Sequence, residues 1–388
     1  MRNIPTKWMG PYIGYTIMGP QTPVFFDPHT QIASNNPPGV YISGSPGGGK
    51  TFFSMTLAWM SAVSGKITVY LDPKADSVKL LNLKNEIGNV SIWNLADENA
   101  EPGILDPFSI EKDPGKQRLM VTSLISTFVG NITDKQRNIL SPIVRDVSKE
   151  RKPSLNRVMS LLLQNRESDE ARALGNELRL LKDLPFSRLC FDHYEGDSLK
   201  IGKGLTIITL LGLHTPEPDQ DPSEYNTNDR LGMGIMYLVT NFIRSVMLSE
   251  DHGGRFQHYP KTIIIDESWS VMATQTGRST ISEICRLGRS LNTSCILISQ
   301  NADDVDKSGI QNSISTRFAF RVKTLDEGKR VRESLDLPED IHIEQTMVDS
   351  FQQGDCIMKD FNNNIACIHI DGYDKTVTNA FNTNPFGE

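Results

Sequence analysis

A glycine-rich segment with a lysine and a threonine has the residue types and the spacing of a phosphate-binding loop. Gly44, Gly49, Lys50 and Thr51 fit the pattern G-x-x-x-x-G-K-[ST]. Glycines let backbone N–H groups approach phosphate oxygens, and the following helix directs the positive end of its dipole at the same anion. Lys50 would reach the β- and γ-phosphates, and the Thr51 hydroxyl would bind Mg²⁺. The residues predicted to bind nucleotide are Gly44, Ser45, Pro46, Gly47, Gly48, Gly49, Lys50 and Thr51.

The alternative for this segment is a glycine-rich turn with no ligand. The flanking sequence favours the phosphate loop, because a β-rich run over 40–43 precedes it and a helical pattern over 50–64 follows it. Strand, loop and helix in this order are the context that the motif requires.

A second group of candidate residues stands far downstream, after the apolar, β-branched run 261–265. Asp266 and Glu267 follow this run directly. An aspartate at a strand end can hold Mg²⁺ through water, and a glutamate beside it can act as general base toward the attacking water. The alternative is an acidic pair that caps the next element. With the upstream loop, the pair predicts an ATPase that uses ATP and Mg²⁺, with Thr51 and Asp266 at the metal.

A polar amide and several arginines could complete such a site. Gln300 follows a strand pattern over 294–299, where its amide could contact both the γ-phosphate and the water. Arg286 and Arg289 precede that strand, and Arg317 follows it. Phosphoryl transfer gains much from a guanidinium, often delivered by a neighbouring subunit. We predict catalytic roles for Gln300, Arg289 and Arg317, with ordinary surface arginines as the alternative.

Two further carboxylates follow the strand pattern over 66–71, namely Asp72 and Asp76. Acidic residues just past the carboxyl end of a strand commonly face a nucleotide site in open α/β sheets. Capping of the loop is the other interpretation, and the sequence leaves both open.

The elements around these residues indicate an α/β protein with a mainly parallel sheet and an all-helical insertion. Buried-strand patterns alternate with helices on both sides of a stretch in which glycine is rare and helical periodicity dominates. We predict a first part of the core over 1–110, the helical insertion over 111–200 and a second part over 201–388. The last part ends in a hairpin over 355–370 and a mobile tail over 379–388.

Bulk composition excludes several classes of protein. The net charge of −7 argues against a generally basic nucleic-acid-binding surface, although 131–190 carries a local basic excess. The five cysteines are scattered, without a C-x-x-C pair, and are predicted to be core thiols of a reducing cytoplasm. No apolar run reaches the length of a membrane span and no secretory signal is recognisable, so we expect a cytoplasmic protein that meets a membrane only through partners.

Four segments, taken together, resemble the motor domain of the large conjugative-transfer ATPase of type IV secretion systems (the TraC- and CagE-like subunit), within the clade of the FtsK and HerA DNA pumps. They are Gly44 to Thr51, Ile264-Ile-Asp-Glu-Ser-Trp269, Arg286-Leu-Gly-Arg-Ser-Leu-Asn-Thr293 and Ile298-Ser-Gln300. Weaker similarities are Gly10 to Gly14, Asp72-Pro-Lys, Leu105-Asp-Pro-Phe108 and Gly354-Asp-Cys-Ile-Met-Lys-Asp360.

The resemblance implies a RecA-like P-loop core with a helical insertion, Mg-ATP hydrolysis, and assembly into hexamers or smaller oligomers. It also implies other type IV secretion components as partners at the cytoplasmic face of the inner membrane. In that clade, the glutamine at the position of Gln300 senses the γ-phosphate, and the arginine at the position of Arg289 resembles a finger that acts in trans. Family members carry a long N-terminal docking domain, so we expect this chain to correspond to their C-terminal motor region. They often have an alanine where this chain has Ser268.

Three functions follow as hypotheses. The first is an ATP-hydrolysing motor that energises transfer or channel assembly in a type IV secretion or conjugation system. The second is a DNA translocase of the coupling-protein, HerA or FtsK kind, for which DNA would be a direct partner. The third is an assembly subunit gated by ATP that turns over slowly. A glutamate at position 267 argues against the third, because a pure switch needs no general base.

Overall fold

The computed structural model describes residues 10–97, 100–193, 201–217, 220–248, 259–272, 275–338, 341–372 and 375–381. The strands are β1 (Tyr12–Thr16), β2 (Pro23–Phe25), β3 (Gly39–Ser43), β4 (Ile67–Asp72), β5 (Val90–Asn94), β6 (Gly204–Thr209), β7 (Lys261–Ile265), β8 (Thr293–Ile298), β9 (Ile314–Phe320), β10 (Asp355–Lys359) and β11 (Ile365–Ile370).

The helices are α1 (Pro28–Ala33), α2 (Lys50–Val63), α3 (Lys84–Ile87), α4 (Pro107–Ile110), α5 (Pro114–Val129), α6 (Asp134–Val147), α7 (Leu155–Gln164), α8 (Asp169–Lys182), α9 (Thr227–Leu248), α10 (Ser268–Met272), α11 (Gln275–Gly288), α12 (Asp304–Lys307), α13 (Leu325–Ser334), α14 (Glu344–Asp349) and α15 (Lys375–Phe381). None of the helices in the described ranges is long and apolar enough to cross a membrane.

All the described strands join one eleven-stranded sheet in the order β2-β1-β11-β10-β9-β3-β8-β7-β4-β6-β5. The seven strands from β9 to β5 are parallel, and the four at the other end pair antiparallel. Since β3, β8 and β7 are consecutive neighbours, their carboxyl ends lie side by side at one edge of the sheet. In open α/β sheets this edge is where ligands bind.

The central strands are buried over their whole length, which explains their near-continuous apolar sequences. Successive side chains point to opposite faces: Tyr41 belongs to one hydrophobic cluster, and its neighbours Val40 and Ile42 belong to another. The first cluster packs the sheet against α9, α11 and the helical segment α5–α8. The second packs the opposite face against α2 and α15.

The helical segment α5–α8 forms where local sequence signals demand helices. Pro114 stands at the start of α5 after the N-cap Asp113, and Gly130 ends that helix in the left-handed conformation. Thr133 and Gln136 make a capping box at the start of α6. Each helix buries an apolar face in the first cluster. The predicted all-helical insertion is therefore confirmed, while the predicted boundaries of the three parts stay a prediction.

The first residues of the predicted mobile tail over 379–388 are helical instead. Residues 379–381 belong to α15, because the ring of Phe381 is buried and packs edge-to-face on Phe52 of α2. Residues 382–388 lie outside the described part of the chain. Before that, β10 and β11 pair as a hairpin in which Asp355 faces His369.

The cysteines fit the expectation of core thiols. Cys190, Cys285, Cys295 and Cys356 are buried free thiols, and Cys367 is half-buried.

A fully buried carboxyl ties the helical segment to the core. Asp106 caps α4 by accepting the Phe108 N–H at 2.9 Å, and it accepts the Leu155 N–H at the start of α7 at 2.8 Å. Burial raises the pKa of Asp106 well above its usual range.

We expect the substitution Asp106→Ala to lower the free energy of unfolding by about 2 to 4 kcal/mol, because two buried N–H donors lose their acceptor. Asp106→Asn keeps one of the two acceptor oxygens and should lose less than Asp106→Ala. Urea denaturation followed by circular dichroism measures both. Equal losses in the two variants would contradict the assigned role of the oxygens.

Candidate functional site

The segment between β3 and α2 is a loop in which three positions adopt backbone conformations that favour glycine. Gly44, Gly47 and Gly49 have φ values of 142°, 79° and 110°. A Cβ on Gly44 would stand 2.7 Å from the Cβ of Phe320, and one on Gly48 would stand 3.3 Å from the same atom. The loop therefore lies directly against the end of β9, with Gly49 as the N-cap of α2.

Three other segments hold the loop from outside. The Gly354 N–H, at the start of the C-terminal hairpin, donates to the Gly48 carbonyl at 2.9 Å. The Ser45 N–H donates to the Arg321 carbonyl at 3.1 Å, and the Ser45 hydroxyl donates to the carboxylate of Glu327 in α13 at 3.2 Å. Sequence reasoning missed Phe320, Arg321 and Glu327; of these contacts, only the segment beginning at Gly354 had a sequence signal.

Lys50, the first residue of α2, folds over the loop. Its ammonium donates to the carbonyls of Gly44 and, at 3.2 Å, of Ser45. Burial lowers the pKa of Lys50 to about 8, while Asp266 and Glu267 act in the opposite direction. The structure thus brings the lysine and the distant acidic pair into one electrostatic environment.

Asp266 follows the end of β7, where its N–H donates to the Leu71 carbonyl of β4 at 2.9 Å. Its carboxylate accepts the Glu267 N–H at 2.8 Å. Burial, together with the negative charges of Asp72 and Glu267, raises the pKa of Asp266 to about 7. Two neighbouring carboxylates thus disfavour the charged form of Asp266, and a cation bound there, as in a Mg²⁺ site, would favour it.

Glu267 has an unusual backbone, with a φ of 49° in the left-handed region. One oxygen of its carboxylate forms an ion pair with Lys74, and the other accepts the Trp269 indole N–H at 2.6 Å. Burial would raise the pKa of Glu267, but these two donors outweigh it and lower the pKa. Lys74 and Trp269 were not among the predicted site residues.

Asp72 acts as a cap. Its carboxylate accepts the N–H groups of Lys74, Ala75 and Ser77 at 3.0, 3.1 and 2.6 Å, and so shapes the turn after β4. The negative charge of Asp72 still contributes to the raised pKa of Asp266. Asp76 begins the short 3₁₀ turn that follows.

Gln300 lies beside the loop, because its carbonyl accepts the Gly44 N–H at 3.3 Å. The strand that carries it, β8, separates the loop strand β3 from the acidic strand β7. Lys50, Asp266, Glu267 and Gln300 are therefore brought together by the topology, although they are far apart in sequence.

The arginines are placed differently. Arg289 precedes the amino end of β8, a six-residue strand that spans about 20 Å and whose other end lies beside the loop. Its guanidinium donates to the Asn35 carbonyl at 3.4 Å. Arg286 lies in the last turn of α11, before Arg289. Arg317 pairs with Asp306 at 2.8 Å and also donates to the Ser334 carbonyl. The structure does not bring these side chains to the loop of their own chain.

The arrangement fits a nucleoside triphosphate with a divalent cation. A glycine cradle that a Cβ would fill and a half-buried ammonium suit an anion, and the neighbouring carboxylates suit a cation. Thr51, one residue into α2, and Asp266 are the residues that would hold Mg²⁺.

A lysine-bearing glycine loop between strand and helix, on a sheet whose acidic strand lies two positions away, defines the P-loop NTPase fold. The chain matches the family model described as "AAA-like domain" over residues 22–381, and it belongs to that family. The predicted α/β fold with a P-loop core, a mainly parallel sheet and a helical insertion is thus confirmed.

Similar proteins agree with this assignment. The chain is 22% identical over 346 residues to the uncharacterized protein YddE of Bacillus subtilis (strain 168), a match covering 84% of this chain and 40% of YddE. VirB4 of Thermoanaerobacter pseudethanolicus superposes with a TM-score of 0.75 at 14% identity, covering 95% of this chain and 98% of that structure. The bacterial conjugative coupling protein TrwBΔN70 gives a TM-score of 0.57 at 13% identity, with coverages of 95% and 94%. The predicted resemblance to the conjugative-transfer ATPase is confirmed at the level of family and fold.

We expect Gly44→Ala to weaken binding of a fluorescent ATP analogue by about tenfold or more, because the strained φ and the clash with Phe320 deform the cradle. Gly202→Ala is the matched control, since a Cβ there meets open space. Fluorescence titration measures both affinities. Unchanged affinity in Gly44→Ala would contradict the cradle.

Proposed function

We propose that this protein is an ATPase that hydrolyses Mg-ATP at the loop 44–51. The observation that carries the proposal is the convergence of Lys50, at the start of α2, with Asp266 and Glu267, which follow β7 far downstream. Membership of the AAA-like domain family supports it.

The residues have separable roles in this proposal. The loop N–H groups and Lys50 bind the phosphates, and Thr51 and Asp266 hold the metal. Bound Mg²⁺ neutralises phosphate charge during transfer. Glu267 accepts a proton from the attacking water, and Gln300 contacts the γ-phosphate from the strand between them.

Arg289 is proposed to act on the site of a neighbouring subunit. Within its own chain it lies near the amino ends of the parallel strands, whereas the loop lies at their carboxyl ends. An arginine there can serve only a second copy whose loop faces this edge, which supports self-association into hexamers or smaller oligomers. The ion pair with Asp306 gives Arg317 a packing role beside the catalytic one predicted from sequence.

We further propose that the ATPase energises a type IV secretion or conjugation system, with other components of that system as partners at the cytoplasmic face of the inner membrane. The near-complete superposition on VirB4 supports this role. The likeness to a conjugative coupling protein supports the second candidate, a DNA translocase. Hydrolysis stimulated by DNA, with an affinity that falls as salt rises, would favour the translocase.

We expect Glu267→Gln to reduce kcat for ATP by at least about a hundredfold while affinity for ATP is kept, since the amide cannot accept the proton. Lys50→Ala should instead lose affinity. A coupled phosphate-release assay and an ATP-analogue titration separate the two effects. If Glu267→Gln keeps the slow turnover of the parent protein, the protein is an ATP-gated assembly subunit instead.

For Arg289 we expect activity per subunit to rise with protein concentration, and Arg289→Ala to lose kcat but not ATP affinity. Mixing Arg289→Ala with Glu267→Gln should restore part of the activity, because an intact loop can then meet an intact arginine across an interface. Steady-state assays over a concentration series test this. A mixture as inactive as its components would exclude action in trans.

A further inference from the structure

A large open groove runs along one face of α5 in the helical segment. Its walls are α5, α6, the turn over 222–225 and the start of α9, and its volume is about 1130 Å³. No residue of the nucleotide loop lines it. Because α5 has 16 residues, this wall is about 24 Å long. The space, called the α5 groove below, is long enough for a chain rather than a single ion.

The α5 groove is strongly positive within an acidic protein. Its lining has four cations and one carboxylate, namely Lys116, Arg118, Arg137 and Arg230 against Asp113. The carboxylate is already used, since it caps α5 by accepting the Lys116 N–H at 2.8 Å. Elsewhere in the helical segment, Lys135 pairs with Glu170 and Arg157 with Glu150. Within the described ranges, Lys116, Arg118 and Arg137 form no such pair, so their charge is available to a ligand.

One of these cations is held in place by the fold. Arg230 lies against Gly130, the residue that ends α5 with a φ of 77°, and a Cβ on this glycine would stand 2.6 Å from the Arg230 Cζ. The guanidinium donates to the Val129 carbonyl at 3.3 Å. Since a guanidinium carries five N–H donors in a planar fork, most of them remain for an oxyanion. A carboxylate matches this fork with two parallel hydrogen bonds.

The wall formed by α5 adds hydroxyls and an apolar contact. Thr122 and Ser126 stand four residues apart on the face that lines the groove, where their hydroxyls can donate to oxyanions. Leu119, on the same face, is 71% exposed, and Met233 of α9 lies on the facing wall. Cations and hydroxyls with apolar side chains between them suit a peptide that carries both acidic and apolar residues.

We propose that the α5 groove is a docking site for an acidic segment of a partner polypeptide. An extended chain advances about 3.3 Å per residue, so the wall formed by α5 accommodates about seven residues. Arg230 binds a carboxylate at one end of the groove, and Arg118 and Arg137 supply attraction along it. This inference goes beyond the proposed function, because it does not depend on hydrolysis at the loop.

A single-stranded nucleic acid fits the α5 groove less well than an acidic peptide. Such strands bind by stacking successive bases on aromatic side chains, and Tyr225 is the one aromatic residue among the described residues that line the groove. A strand longer than the groove would also continue over a chain whose net charge is −7, where its phosphates lack countercharges. A short acidic segment ends within the positive region.

Fluorescence anisotropy with a labelled peptide of glutamate and leucine, about eight residues long, tests the docking site on the full chain. We expect the peptide to bind with an affinity that falls as salt rises. The same peptide with glutamine in place of glutamate should bind at least about tenfold more weakly, because the carboxylates supply the attraction. Equal binding of the two peptides would refute recognition of acidic residues, whatever any protein variant does.

Charge reversal locates the binding. The double variant Arg118→Glu, Arg137→Glu should weaken binding of the acidic peptide at least about tenfold. The matched control is Lys149→Glu, Arg179→Glu, which changes the net charge equally at exposed positions outside the groove and should stay within about twofold of the parent. Arg230→Lys should weaken binding about threefold or more, since an ammonium lacks the planar fork. Equal losses in the two double variants would refute the groove as the site.

Two further measurements separate this inference from other functions. A thymidine oligonucleotide of matching length should bind more weakly than the acidic peptide; if it binds more tightly and displaces the peptide, the groove is a nucleic-acid site and the proposal is overturned. Lys50→Ala, which is expected to lose affinity for ATP, should bind the peptide like the parent protein. Failure of the ATPase therefore leaves the docking site standing, and failure of the docking site leaves the ATPase standing.

Discussion

The structure depends on keeping several charges together at the carboxyl ends of the central strands, where little water reaches them. Lys50, Asp266 and Asp72 are largely withdrawn from water, and Glu267 stands beside them. Charges in such a place are stable only when opposite charges and hydrogen bonds surround them. Here the compensation is partial, since burial still lowers the pKa of the lysine and raises that of Asp266. A metal-bound triphosphate would complete it, which is why the site suits that ligand.

The rest of the chain serves to hold these charges at fixed positions. The parallel strands β3, β8 and β7 set their lateral spacing, and apolar clusters on both faces make the sheet rigid. The loop is held on its outer side by Phe320, the Arg321 carbonyl and the Gly354 N–H. Segments from the last third of the chain therefore shape a site whose motif lies near its beginning.

The same organisation separates two kinds of basic residue. Lys50 and Lys74 lie at the loop edge and interact with the acidic residues there, whereas Arg289 lies at the opposite edge. In the proposed function, the first group responds to a ligand within one chain, and the arginine acts on another copy. Turnover in the proposed ATPase would then depend both on occupancy of the site and on assembly.

Local sequence by itself determined the phosphate loop, the acidic pair, the buried strands and the helical segment, because each depends on residue types at short spacing. Glycines in the loop, β-branched runs ending in Asp266 or Gln300, and caps such as Thr133 are patterns of this kind. Only the tertiary structure decided that Phe320 and Gly354 support the loop, that Asp72 is a cap, and that Lys74 pairs with Glu267. These contacts join segments distant in sequence, and strand order, which no local pattern encodes, brings them together.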